Sequence, residues 1–256
     1  MNFHNTMKRI SIWILRILFY FLIYLFISII LDRPAFPKPW KIVENLFTIV
    51  LPGFLHHLPA TLFRWFIVFF AGSILGFFMG ILIGYFKKIH EIVKFEIDFF
   101  RSLPATVLIV FLLAAFGDGH LQRSLPVLYI TFFTVLFYVA KHMLILNRRR
   151  IQHLLDLGAS RIFVLRHCVY YELLPVIMVA IRQAISLSFL VAISVELIVG
   201  SFGNIGLGTL LYDWKFNCEY AAIIGGLLVI GTIGFLLNIM MLKLQNKLLP
   251  WTKVES

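Results

Sequence analysis

Long apolar runs alternate with short clusters of charge along the whole 256-residue chain. Six stretches approach the roughly 20 apolar residues that a helix needs to cross the hydrocarbon of a bilayer; they are residues 10–31, 63–85, 99–116, 125–146, 176–199 and 220–242. In hydrocarbon each backbone N–H and C=O must find its partner inside its own segment, so these runs are predicted as helices. The third is the least regular: Glu96, Asp98 and Arg101 crowd its start, and Pro104 removes a backbone donor, which predicts a break or bend. In the second, Gly72, Gly76, Gly80 and Gly84 fall at four-residue spacing on one helical face and predict close backbone packing against a neighbour. Gly225, Gly226, Gly231 and Gly234 repeat that signal less regularly in the sixth. The fold class expected is an all-α polytopic membrane protein, a bundle of about six transmembrane helices.

Composition agrees with the pattern. Hydrophobic residues make up 61% of the chain and charged residues 14%, against about 25% charged in soluble domains. The formal net charge of +11 does not point to nucleic acid, because the basic residues sit in connections between apolar runs and not on a soluble face. Their distribution sets orientation instead. One side holds Lys8 and Arg9, then Lys87, Lys88, Lys94 and Arg101, then the cluster from Lys141 to Arg182, then Lys243, Lys247 and Lys253. The other side holds Arg33, Lys38, Lys41 and Arg64, followed only by Arg123 and Lys215. The basic excess places both termini in the cytoplasm. The prolines and aromatics of the first outer connection suit a segment lying along the outer interface.

Catalytic chemistry is poorly represented. Cys168 and Cys218 have no metal-binding spacing, and the histidines form no ligand pattern. No phosphate-loop motif is present, so any nucleotide-driven work belongs to a partner. The run Gly203-Asn204-Ile205-Gly206-Leu207-Gly208 follows a membrane segment, not a strand, and reads as an outer connection.

The most polar part of the chain separates the fourth and fifth apolar runs. Arg148, Arg149 and Arg150 end the fourth; Ile151, Leu154, Leu155 and Leu157 then make a short apolar face. Gly158 permits a turn, and Ile162, Phe163 and Leu165 continue as a second short amphipathic helix flanked by Arg161 and Arg166. Two readings fit: a surface-seeking loop on anionic lipid, or a docking surface for a peripheral protein. In the fifth run Glu196 lies near the outer end among apolar neighbours, either facing a solute path or bonded to the backbone of 203–208. Arg182 lies at the inner start of the same run, where it would meet headgroups, Asp98 or Glu96.

The succession Leu157-Gly158-Ala159-Ser160-Arg161, Pro175, Ile181-Arg182-Gln183-Ala184, Glu196 and Gly203-Asn204-Ile205-Gly206-Leu207-Gly208 resembles the permease subunit of binding-protein-dependent ABC importers, most of all the nitrate/sulfonate/taurine type. The resemblance runs from about residue 58 to 251 and takes in Thr61-Leu62, the glycines of the second run, Ser102-Leu103-Pro104-Ala105 and Phe116-Gly117. It implies a type I importer bundle with its path at the interface of two permease subunits, a homodimer. It also implies separate ABC ATPase subunits that use the ATP, an extracytoplasmic solute-binding protein, and a multi-pass location in a bacterial cytoplasmic membrane. No cofactor is expected on this chain.

By the same resemblance, residues 147–175 form the coupling loop, with Leu154, Leu155, Leu157, Gly158, Ala159, Ser160, Arg161 and Phe163 facing the ATPase. Arg182, Glu196 and Asn204 become path or gating candidates. Residues 1–57 are a first helix with its outer connection, 58–245 the permease core, and 246–256 a short cytoplasmic tail. The solute expected is a small organic or inorganic anion such as a sulfonate, taurine or nitrate, or a small heterocycle. The chain departs from the family where an Glu-Ala-Ala triplet is replaced by Gln152-His153-Leu154 and a Leu-Pro pair by Tyr170-Tyr171. Those departures keep open a non-transporting membrane subunit, and a secondary transporter is the other alternative.

Overall fold

A computed structural model describes residues 3–117, 119–146, 148–164, 167, 170–200 and 205–252. The described residues are almost entirely helical. Helix α1 spans Phe3–Leu31, α2 Pro39–Asn45, and a wide π-helical turn over Leu46–Val50 leads without interruption into α3, Leu51–Tyr85. Then come α4 (Lys87–Ser102), α5 (Ala105–Phe116), α6 (His120–Ile145), α7 (Arg148–Asp156) and α8 (Arg161–Val164). Helices α9 (Tyr170–Val199), α10 (Leu207–Phe216) and α11 (Tyr220–Leu248) complete the chain, ahead of a 3₁₀ turn at Pro250–Thr252.

The bundle is built on the contact between α3 and α6. Gly72 backs onto Leu128 and Thr131, Gly76 onto Phe132 and Val135, Gly80 onto Leu136 and Val139, and Gly84 onto Ala140 and Met143. Both sets of numbers rise together, so the two helices run parallel. A Cβ at Gly76 would lie 2.6 Å from the Phe132 carbonyl oxygen, and one at Gly84 2.6 Å from that of Ala140. Lipid tails are as apolar as the side chains and supply little driving force. Close backbone packing over this seam is what holds the pair together.

Helix α9 crosses this pair in the opposite direction. Trp65 of α3 stacks on Phe69 and meets Phe189 of α9 edge-on, with ring centroids 5.3 and 5.7 Å away. Its buried indole N–H donates to Ser188 Oγ at 2.8 Å, so the one polar edge of the ring is satisfied. Helices α10 and α11 pack against the far side, where Gly226 sits beneath the Trp214 ring and Gly225 beside Val50. Gly231 and Gly234 face open space, so only half of the glycine signal in α11 is a packing signal.

Two expected segments differ in form. The second apolar run is part of continuous helix from Pro39 to Tyr85, so most of the region expected as an outer connection is helical. Pro52 and Pro59 are accommodated there: Pro52 follows directly on the wide turn, where the regular hydrogen-bond ladder is already interrupted. The third run is not one straight crossing. Leu103 and Pro104 are extended (ψ 128° and 118°), and α4 meets α5 at 84°. A proline disfavours helical geometry at the residue before it, which explains a break at this position.

Among the described residues, four helical segments are long and apolar enough to span a bilayer: Pro39–Tyr85, His120–Ile145, Tyr170–Val199 and Tyr220–Leu248. The bent α4–α5 pair would be a fifth. Helix α1 stands off from the bundle, with a 14-residue apolar stretch over Leu18–Leu31. Tyr24 Oη and Ser28 Oγ tie it to the connection that follows, donating to the carbonyls of Pro37 and Phe36 at 2.8 and 2.9 Å.

Substituting Gly76 by Val is expected to lower the stability of the purified protein by about 2 kcal/mol through overpacking. Gly231→Ala, which places its methyl in open space, should leave it unchanged. Thermal unfolding in detergent compares the two, and equal melting temperatures would contradict the α3–α6 seam.

Candidate functional site

Antiparallel packing brings the C-terminal end of α9 to the N-terminal halves of α3 and α6. Glu196 is there and only 3% exposed. Arg64 Nη1 donates to its Oε1 at 2.7 Å, forming an ion pair. The Gly208 N–H donates to Oε2 at 3.0 Å. The Thr61 hydroxyl lies 3.1 and 2.9 Å from the two carboxylate oxygens and donates its single proton to one of them. Thr61 Oγ1 in turn accepts the Leu207 N–H at 2.8 Å, while Arg64 Nη2 donates to the Ile205 carbonyl at 3.1 Å. His57 Nδ1 lies against both the N–H and the C=O of Gly206, at 3.1 and 2.8 Å, and its tautomer decides which bond forms.

One carboxylate therefore locks three pieces of chain: α3, α9 and the start of α10. The glycines at 206 and 208 make this possible, since a Cβ on either would collide with Glu196. Arg123 of α6 is buried beside the cluster and shares with Arg64 and Glu196 a cavity of about 10 Å³, the size of one water. Such a space holds no solute. The chemistry of the cluster is that of a buried ion pair with its remaining lone pairs hydrogen-bonded, a tie more than a binding site.

At the opposite end of the bundle, α7 and α8 form the polar segment between α6 and α9. Gly158 has φ +86°, in the left-handed region, and a Cβ there would meet nothing within 4 Å. Its N–H donates to the Leu155 carbonyl at 2.9 Å and that of Ala159 to the Leu154 carbonyl at 3.0 Å, the paired bonds of a Schellman cap. Ser160 Oγ then accepts the Phe163 N–H at 3.2 Å and opens α8 as its N-cap. The bend is fully specified by these three residues. It leaves Leu155, Leu157 and Phe163 exposed, Leu157 at 71%, while Leu154 and Ala159 are half-buried. His167 stacks on Phe163 at 4.3 Å between centroids. The side chains of Arg148, Arg149, Arg150, Arg161 and Arg166 lie outside the described residues.

The three path candidates fall in different places. Glu196 is held in the outer cluster. Arg182 turns toward α11, where its Nε donates to Asn238 Oδ1 at 3.0 Å, and it meets neither Asp98 nor Glu96. Asn204 lies outside the described residues. The neighbouring Gln183, not singled out from sequence, is exposed and lines an open cavity instead. Gly72, Gly76, Gly80 and Gly84 all lie in the α3–α6 contact.

Sequence reasoning missed Thr61, Arg64, His57 and Arg123 as companions of Glu196. Arg64 reads from sequence only as one of the outer charges, and Glu196 only as a carboxylate among apolar neighbours. A signal was present: an arginine one turn after Thr61, within a helix otherwise apolar, needs a partner at that depth. Glu196 was the acidic residue at the matching outer level.

Glu196→Ala is expected to leave the half-buried Arg64 without its carboxylate and to destabilise the fold by about 3 kcal/mol. Thr61→Val, which removes one hydroxyl from the network, should cost about 1–2 kcal/mol. Thermal unfolding of the two variants in detergent orders them, and a larger loss for Thr61→Val would contradict the central place of Glu196.

Comparison with known proteins agrees on the class. The profile of the family described as "Binding-protein-dependent transport system inner membrane component" matches residues 72–254. The taurine transport system permease protein of Escherichia coli K12 is 28% identical over 228 residues, 86% of this chain and 82% of that protein. The nitrate import permease protein of a Synechocystis strain is 23% identical over 231 residues, 84% of this chain and 80% of that protein. In fold, the chain is similar to a chain of the MetNI methionine ABC transporter in an inward-facing conformation, with a TM-score of 0.57 at 17% identity, covering 75% of this chain and 95% of the other. With glycine-seamed apolar helices, a capped polar loop and a profile match over most of its length, the chain belongs to the family of binding-protein-dependent transport system inner membrane components, as a multi-pass permease.

Proposed function

We propose that this chain is the permease subunit of an ATP-driven importer for a small anion, a sulfonate, taurine or nitrate being the class that fits. In this reading two copies enclose the solute path, a solute-binding protein delivers the anion outside, and separate ATPase subunits drive the cycle from inside. The observation that carries the reading is the α7–Gly158–α8 bend. It presents Leu155, Leu157 and Phe163 to solvent at one end of a chain that holds no phosphate loop.

An exposed apolar patch on a capped, well-specified turn suits a protein groove better than an unstructured loop would, because little ordering entropy is lost on docking. The departures at Gln152-His153-Leu154 do not alter this patch: Gln152 and His153 are exposed, and Leu154 is half-buried with its carbonyl accepting the Ala159 N–H of the Schellman turn. Names of the relatives support an anion. Taurine carries a sulfonate, and an aliphatic sulfonate permease protein of Bacillus subtilis is 22% identical over 223 residues. A surplus of cationic side chains on the cytoplasmic half suits release of an anion on that side.

Co-expression with its cognate ATPase tests the docking surface. Leu157→Asp places a charge on the exposed patch without touching the backbone, and Gly158→Arg disrupts the left-handed turn. Both are expected to lower co-purification of the ATPase at least tenfold while the permease itself remains in the membrane. Undiminished complex in both variants would sink the docking role of this loop.

A further inference from the structure

The polar groups left in the middle of the bundle point to a second kind of site. Gln183 lies thirteen residues into the 30-residue α9, about 20 Å from its start. It and Ser186 are exposed on the face that turns away from α3 and α11. Gln183 borders an open cavity of about 260 Å³ lined also by Ser102, Thr134, Tyr138, Leu187 and Arg101. A second open cavity, about 550 Å³, lies toward the end of the bundle that carries the loop; its polar lining is His90, Lys94, Asp98, Lys141 and, again, Arg101. Arg101 and Phe137 belong to the walls of both. The two cavities therefore adjoin at this pair.

Arg101 is placed by its surroundings. The break at Leu103–Pro104 ends α4 at this depth. The end of α4 is pinned on α6, because the Tyr129 hydroxyl donates to the Phe100 carbonyl and the Phe100 ring stacks on Phe133. The guanidinium then sits 3.7 Å from the centroid of the Phe137 ring. A cation over an aromatic face keeps its edge N–H groups available for an anion. Among the described residues neither Arg101 nor Asp98, one turn before it, takes part in an ion pair. The larger cavity holds Lys94, Arg101 and Lys141 against Asp98, a formal surplus of +2 with His90 neutral.

A bare arginine at membrane depth is costly unless it meets water or an anion. From this geometry we propose that Arg101, backed by Phe137 and flanked by Ser102, Thr134, Tyr138 and Gln183, forms a mid-membrane subsite for a small oxyanion, opening inward into a basic vestibule. The proposal rests on the importer reading above and names the point on the path where this chain itself contacts the anion. Planar, multi-donor hydrogen bonding by guanidinium matches the oxygens of a sulfonate or nitrate.

The test reads local charge selectivity directly. In a Cys168→Ser, Cys218→Ser background, Gln183→Cys is introduced into the full chain, assembled with its partners in membrane vesicles. The thiol is reacted with a sulfonate-bearing and with a trimethylammonium-bearing methanethiosulfonate, each rate normalised to that of a free thiol in solution. The sulfonate reagent is expected to be favoured about tenfold, Arg101→Gln to abolish the preference, and Arg101→Lys to retain most of it. Leu187→Cys, one turn along and lining the same cavity, is expected to give the same result and guards against a local effect of the first cysteine. A thiol silent to both reagents at both positions, or a preference unchanged by Arg101→Gln, overturns the subsite. ATP-dependent uptake of taurine, nitrate or methanesulfonate by the unsubstituted complex is measured in parallel. Preference without uptake sinks the importer reading, and uptake without preference sinks the subsite alone.

Discussion

The arrangement of the bundle rests on how closely α3 and α6 approach. Their glycine face lets backbone meet backbone over Gly72 to Gly84, so the two helices are held parallel along several turns. Dispersion between closely packed atoms supplies the attraction that hydrophobic burial cannot supply in lipid. Because the pair is parallel, Thr61, Arg64 and Arg123 come to the same end. The antiparallel α9 then delivers Glu196 to that end and Tyr170 to the other. Had α6 packed in the opposite sense, Arg123 would lie at the other end, while the Arg64–Glu196 pair depends on α9 running antiparallel to α3.

Helix α9 is the element that relates the two ends. It begins three residues after His167, which stacks on the α8 patch, and reaches Glu196 after 26 residues, about 39 Å of helix. Between them its Arg182 bonds to Asn238 of α11, its Ser188 to Trp65 of α3, and its Gln183 and Ser186 remain open. One face is thus fastened to the bundle and the other is left polar and free. A stiff helix with such a division can carry a displacement from the loop to the outer cluster, with the open polar face changing its surroundings on the way. The break between α4 and α5 serves the same face, since it is what ends α4 with Arg101 beside Phe137.

Much of the fold was legible because bilayer physics leaves few options. Apolar runs of sufficient length must be helices, and the glycines of α3 at four-residue spacing lie in a helix contact. Gly158 was legible for a different reason: a glycine between two short amphipathic pieces is a turn residue, and its φ of +86° shows why a side chain is unwelcome there. The reading was poorer where a residue's meaning depended on a distant partner. Pro52 and Pro59 precede the second predicted run, outside any expected helix, yet they lie in continuous helix after a wide turn. Arg182 was expected to meet headgroups, Asp98 or Glu96, yet its hydrogen-bond partner is Asn238.

The amino-acid sequence by itself determined that this is a membrane-embedded helical bundle with one polar, bent loop and no phosphate-loop motif. Those properties follow from local hydrophobicity, helix period and turn chemistry, which neighbouring residues settle among themselves. Only the tertiary structure decided which polar groups are spoken for. Glu196 and Arg64 are 132 positions apart and cancel each other, whereas Arg101 meets only the face of Phe137 and keeps its charge exposed to two cavities. The energy of a charge at membrane depth is set by what surrounds it in space, and no local pattern of residues specifies that.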